Sequence, residues 1–254
     1  MAFVSSKLYT DFIRLSFSRE RRTMNELAKT FYEKLQANGP VSVVTLGDSW
    51  TYGSVADGWH EAKAAGMDRE LIHGSWAMQL RRTVQERNRS SSVVNSGQGG
   101  WTAKQGLEAF DRLVAEFRPD LVVLNFGIND WRKNVPLDDY RSDMETIIDR
   151  AEALGAACLL WTSGPVSLAG EQDFGWGEPL DPQNYEHRFN AYNDTIKAIA
   201  ADRGLPLADA ERIIWEEWHA GTDLSGWFYD AFHFKQEGHD RIHDAIARKL
   251  GLLG

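Results

Sequence analysis

A chain of 254 residues with 43% hydrophobic side chains can fill one sizeable core and leaves little for a second. Its net charge of −9 argues against a nucleic-acid partner, because a protein that binds phosphate backbones presents a basic face. The single cysteine, Cys158, rules out an intrachain disulfide, and with no basic-then-apolar leader or membrane-length apolar run the expectation is a cytoplasmic protein without a membrane span.

Residues 1–40 read as an N-terminal helical extension and 41–254 as the main domain. In the extension a basic cluster (Arg14, Arg19, Arg21, Arg22) precedes a helix from Asn25 to Leu35, where Leu27, Phe31 and Leu35 recur on one stripe. Asn38-Gly39-Pro40 stops that helix, and Val41 to Leu46 is a strand buried on both faces. It ends abruptly at Gly47-Asp48-Ser49. Residues 54–75 follow with glycines at 58, 66 and 74 and no apolar period, so they read as a long loop forming one wall of a site. A helix with Trp76, Leu80 and Val84 leads to a strand at Ser92–Asn95. This strand gives way to Ser96-Gly97-Gln98-Gly99-Gly100-Trp101-Thr102, ahead of a helix carrying Leu107, Phe110, Val114 and Phe117. Leu121 to Phe126 is the clearest buried strand and ends in Gly127-Ile128-Asn129-Asp130. A helix from Tyr140 to Leu154, a strand at Ala157–Thr162 and a Gly/Pro-rich excursion over 163–184 come next; the excursion is a second candidate wall. The chain closes with a helix from Tyr185 to Asp202, a fifth strand at Leu205–Asp209, a short helix through Ile213 to Trp218, the segment Tyr229–His233 and a last helix through Ile242 to Leu250. Five strands alternating with helices predict an α/β fold with a parallel, doubly wound sheet.

In such a sheet the carboxyl edges of the strands converge on one crevice. Three of them end here in glycine turns bearing Ser49, Gly100 and Asn129, and Asp230 and His233 lie just before the final helix. Acyl transfer needs a nucleophile, a base, a group that orients the base, and donors for the oxyanion. Ser49 fits the first, His233 the second and Asp230 the third. The Asn129 side chain and the backbone amides of Ser49 and Gly100 fit the last, with neighbouring Gly99 leaving the glycine donor open by one residue.

Those residues resemble the SGNH subgroup of the GDSL hydrolases. Gly47-Asp48-Ser49 is similar to the serine block, Asn95 to Thr102 to the glycine block, Gly127-Ile128-Asn129-Asp130 to the Gly-x-Asn-Asp block, and Asp230-Ala231-Phe232-His233 to the terminal Asp-x-x-His block. The resemblance runs from Val41 to about Leu250. It implies a three-layer α/β/α sandwich with a five-stranded parallel sheet of flavodoxin-like type, and a Ser-His-Asp esterase mechanism needing no metal or cofactor. Asp48, Trp50, Trp101, Asp130 and Phe232, inside or beside these blocks, are the candidate substrate contacts.

Other readings are weaker. The glycine block lacks Gly-x-Gly-x-x-Gly spacing and any Gly-Lys-Ser/Thr ending. His239 and His243 stand i, i+4, but without the Glu of a metalloprotease helix they read as a solvent-facing pair. Ten tryptophans suit a carbohydrate-binding module, which would not need Ser49, Asp230 and His233 together. The expected substrate is a short-chain ester, acetyl first, on a carbohydrate or other polar alcohol, because the two loops carry Trp and acidic side chains rather than long aliphatic stretches. A lipase, lysophospholipase or thioesterase acting on longer chains and an acyltransferase are the alternatives that use the same residues.

Overall fold

The computed structural model describes residues 24–164 and 189–253. Five parallel strands run β1 (Ser42–Gly47), β2 (Ser92–Asn95), β3 (Leu121–Asn125), β4 (Ala157–Trp161) and β5 (Leu207–Ala208), in the spatial order β2-β1-β3-β4-β5. The sequence reason is plain in β3 and β4, where every residue is buried, as required of strands covered by helices on both faces. Because the chain passes from β1 outward to β2 and then returns to the other side of β1, the order reverses between β1 and β3. That is the switch point where open α/β sheets form their crevice. The register puts Gly47 beside Asn125 and Thr45 beside Asn95, so the ends of β1, β2 and β3 lie side by side.

Helices cover both faces, giving a three-layer α/β/α sandwich. They are α1 (Glu26–Gln36), α2 (Ser49–Tyr52), α3 (Trp59–Ala64), α4 (Trp76–Arg87), α5 (Ala103–Glu108), α6 (Phe110–Leu113), α7 (Ile128–Arg132), α8 (Leu137–Ala153), α9 (Asn190–Arg203), α10 (Ala210–His219) and α11 (Gln236–Lys249). One group packs α5 and α9 onto α8, and another packs α4 and α10 onto α11. No described helix is long and apolar enough to cross a membrane.

Three expectations change in detail. The stretch 54–75 is not bare loop: it holds α3 and a 3-10 turn at Arg69–Leu71, and Ala62 and Ile72 pack a small cluster with Tyr52 and Ala56. The single helix expected through Phe117 is broken into α5, α6 and a 3-10 turn at Ala115–Phe117, which leaves Phe117 exposed. Arg118 ends it in the left-handed region, with φ 45. The fifth strand is two residues long, bounded by Pro206, which has no N–H for the ladder, and by Asp209, whose carboxylate caps α10 by accepting from Arg212 N at 3.2 Å. Of the Gly/Pro-rich excursion, residues 165–184 lie outside the described residues, as do residues 1–23 of the N-terminal segment.

Helix α1 lies against β4, and its Phe31 and Leu35 are buried in the same core as the sheet. Phe31→Ala is therefore expected to lower the unfolding free energy by about 3–5 kcal/mol in urea titrations. A loss below about 1 kcal/mol would mean that α1 is separable from the domain.

Candidate active site

Strand β1 delivers Ser49 through a turn that only glycine permits. A Cβ on Gly47 would lie 2.2 Å from Thr51 Oγ1 and 2.4 Å from the Asn125 carbonyl, so the chain passes too close to β3 for any side chain. Asp48 then caps α2, its Oδ1 accepting from Trp50 N at 3.0 Å. Ser49 opens that helix, and its carbonyl accepts from Gly53 N and Ser54 N at 3.1 and 3.0 Å. The hydroxyl is thus fixed to a short turn held at both ends.

The second part comes from the segment between α10 and α11. Asp230 Oδ1 accepts from the amides of Phe232 and His233 at 2.8 and 2.7 Å, while Oδ2 lies 2.7 Å from His233 Nδ1. A carboxylate can only accept, so Nδ1 carries the proton and Nε2 presents its lone pair. That Nε2 stands 2.9 Å from Ser49 Oγ. Burial by itself would raise the Asp230 carboxyl, but the bonds from the His233 ring and the two amides outweigh it and hold the group below the ordinary carboxylate range.

The third part is the glycine block. Gln98 N donates to Gly47 O at 2.8 Å, and a Cβ on Gly97 would sit 2.2 Å from Tyr52 N, so this backbone rests directly on the Ser49 turn. Gly100 has φ +78, and among the described residues its N–H has no acceptor. Asn129, fully buried at the start of α7, donates one amide hydrogen to Trp101 O at 3.1 Å, and the second hydrogen of that amide remains for another acceptor. Arg132 Nη1 approaches Asn129 Oδ1 at 3.5 Å.

The five candidate substrate contacts are placed differently. Asp48 and Asp130 are completely buried, and each carboxylate bonds a helix-opening amide: Asp48 that of Trp50, Asp130 that of Ala103 at 3.1 and 3.3 Å. The Trp50 ring turns inward against Phe234, 4.9 Å between centroids. Phe232 is buried with Trp131 at 5.8 Å, and Trp101 is half-buried, tied by its carbonyl to Asn129. Asp48, Trp50 and Asp130 thus turn their polar or aromatic groups into the fold, each against a partner of its own.

His239 and His243 are likewise not solvent-facing. His239 donates Nε2–H to Ser54 O at 3.1 Å and His243 Nε2 lies 3.0 Å from Thr83 Oγ1, because α11 buries this face against α4 and the loop after Ser49. Among the described residues no group of three or more His, Cys, Asp or Glu side chains is placed to hold a metal ion. Residues that sequence reasoning passed over include Lys133, which reaches Gly100 O at 3.1 Å, and Thr102 with Gln105, which form a capping box at α5. The Thr-x-x-Gln pattern was available as a signal.

Burial pushes the Asp48 carboxyl up to about 7, with Trp50 N–H opposing and neighbouring Asp130 adding to the rise. Burial likewise takes Asp130 up to about 6, opposed by Ala103 N–H. An unfolded aspartate loses its proton near ~3.9, so between there and about 7 the folded state holds the extra Asp48 proton, and stability falls as pH rises. His239 acts with the opposite sign below its unfolded value of ~6.5, since burial lowers it to about 4 and the unfolded chain holds the extra proton. The Asp48 share is isolated by substitution: Asp48→Asn should gain on the wild type by on the order of 2 kcal/mol between pH 5 and pH 8 in urea unfolding. Parallel profiles would mean that Asp48 ionises as it does in the unfolded chain.

The profile of the GDSL-like lipase/acylhydrolase family matches residues 45–241, which contain all the blocks above. Esterase TesA of Pseudomonas aeruginosa is 29% identical over 97 residues, a match that takes in 38% of this chain and 47% of TesA, about half the length of that relative. Among solved structures, the α/β hydrolase LAE5 from the metagenome of Lake Arreo is 20% identical with a TM-score of 0.66, covering 84% of this chain and 96% of LAE5. A catalytic mutant of Axe2, an acetylxylan esterase from Geobacillus stearothermophilus, is 19% identical with a TM-score of 0.64, covering 83% and 94%. A two-domain esterase active on acetylated mannans is 17% identical with a TM-score of 0.64, covering 89% of this chain and 52% of that one. These structures share the fold, and the family match spans most of the chain: the protein belongs to the GDSL-like lipase/acylhydrolase family.

Proposed function

We propose that the protein is a serine esterase that hydrolyses short acyl esters, acetyl first, on a carbohydrate or other polar alcohol. The observation that carries the reading is the unbroken chain of hydrogen bonds from Asp230 through His233 to Ser49 Oγ, at 2.7 and 2.9 Å. His233 Nε2 takes the proton as Ser49 Oγ attacks the acyl carbonyl, and Asp230 stabilises the imidazolium that forms. The amides of Ser49 and Gly100 and the remaining amide hydrogen of Asn129 donate to the oxyanion. His233 then returns the proton to the leaving alcohol, and water repeats the sequence on the acyl-enzyme. The substrate class is supported by neighbours in fold that act on acetylated mannan or acetylxylan.

Rates on p-nitrophenyl esters from acetyl to decanoyl, run beside Ser49→Ala, test both halves of the proposal. Turnover should fall roughly 10⁴-fold or more in Ser49→Ala and in His233→Ala, with both variants folded by circular dichroism. It should also decline steeply beyond butyryl. A maximum at octanoyl or longer would replace the substrate class with lipid or thioester acyl groups, and Ser49-independent turnover would remove Ser49 as nucleophile. In acceptor alcohols, transfer outpacing hydrolysis would make the protein an acyltransferase.

A further inference from the structure

Three side chains of one helical turn grip the glycine block from the outside. Asn129 Nδ2 holds Trp101 O at 3.1 Å, Asp130 holds Ala103 N at 3.1 and 3.3 Å, and Lys133 Nζ holds Gly100 O at 3.1 Å and Gln105 Oε1 at 3.2 Å. Every residue from Gly100 to Ala103 except Thr102 is thereby fixed to α7 or to its first following residue, and Thr102 is closed by its own capping box with Gln105. Neither Asp130 nor Lys133 touches Ser49 or His233 in these bonds. What they hold is the relative position of the two oxyanion donors on different strands, the Gly100 amide after β2 and the Asn129 amide after β3.

We infer that Asp130 and Lys133 are positioning residues for the oxyanion donors, setting the gap between the Gly100 N–H and Asn129 Nδ2. The inference rests on the serine esterase reading above. Asp130 is completely buried, so it acts from inside the fold rather than on substrate. A buried aspartate is a costly anchor unless its bonds are needed, and two oxygens sharing one amide at the opening of α5 fix that helix more tightly than a neutral acceptor would. Lys133 is exposed at the surface and supplies an attraction that favours the charged form of Asp130. The negative side chain therefore does not stand unbalanced beneath a site where negative charge develops. Catalysis is sensitive to displacements of a fraction of an ångström in such donors, whereas ground-state binding of a small ester is not.

The test is steady-state kinetics on p-nitrophenyl acetate for Asp130→Asn, Lys133→Ala, Lys133→Arg and Ser49→Ala, with melting temperatures for all four. Asp130→Asn should lower kcat about ten- to a hundredfold with KM within twofold, because one neutral acceptor replaces the paired oxygens. Lys133→Ala should lower kcat about three- to tenfold at an unchanged melting temperature, and Lys133→Arg, which keeps donors for Gly100 O and Gln105, should restore most of it. If Asp130→Asn fails to fold, the Lys133 pair decides, since that side chain is exposed. Rates within twofold of wild type in the variants that fold, or a rise in KM at constant kcat, would overturn the positioning role while Ser49→Ala still abolishes turnover. Wild-type turnover in Ser49→Ala would overturn the reading of the site, and this inference with it.

Discussion

The structure depends on how closely three backbones approach at one edge of the sheet. Gly47 lies against the Asn125 carbonyl and Thr51, and Gly97 against the Tyr52 amide, at distances where a single Cβ would be in collision with main-chain atoms that cannot give way. Strands in a sheet are already spaced at about 4.8 Å by their hydrogen bonds, so the turns leaving them can stay together only if they carry nothing on the facing side. These turns carry Ser49, Gly100 and Asn129, so on the proposed serine esterase reading the packing requirement and the chemical one coincide. A side chain at Gly47 would collide with β3 and Thr51, and one at Gly97 with the turn that carries Ser49.

A second constraint is charge in a dry interior. Three aspartates lie buried around the site, and their environments separate them. Asp230 receives three hydrogen bonds, from Nδ1 of His233 and the amides of Phe232 and His233, and they hold its carboxyl below the ordinary range. Asp48 has one amide on Oδ1 and, among the described residues, no partner on Oδ2, and burial drives it toward the neutral acid. Asp130, with Ala103 N–H on both oxygens and Lys133 nearby, falls between them. The same residue type thus stands in three environments, and what distinguishes them is burial weighed against the donors and charges that face each carboxylate.

Much of this was legible in the sequence because it is local. Val43, Val44 and Leu46 before Gly47, or Leu121 to Leu124 before Gly127, announce a buried strand and its stop within a few residues, and the stripes Phe31/Leu35 and Trp76/Leu80/Val84 announce helices by period. The five-strand parallel sheet and the family followed from such runs and the four blocks. Where the reading failed, the missing information was not local. His239 and His243 look solvent-facing on an isolated α11 and are buried only because α4 and Ser54 come to lie on them. Phe117 fits the apolar period of the preceding segment, yet the helix breaks before it reaches that residue. Trp50 beside Ser49 suggested a substrate contact, but its ring is taken up by Phe234 and Trp161 from distant parts of the chain.

By itself the sequence determined the five strands and most of the helices, their alternation, the turns at Ser49 and Asn129, and the pairing of Asp230 with His233, which are three residues apart and can meet within one turn. Only the tertiary structure decided that His233 reaches Ser49, 184 residues away, and that Asn129, Asp130 and Lys133 all close on the glycine block after a different strand. Local preference is fixed by the backbone and by near neighbours, and a sequence states these directly. Distances between turns on separate strands are set by the register of the sheet and by which side chains are missing at the points of closest approach.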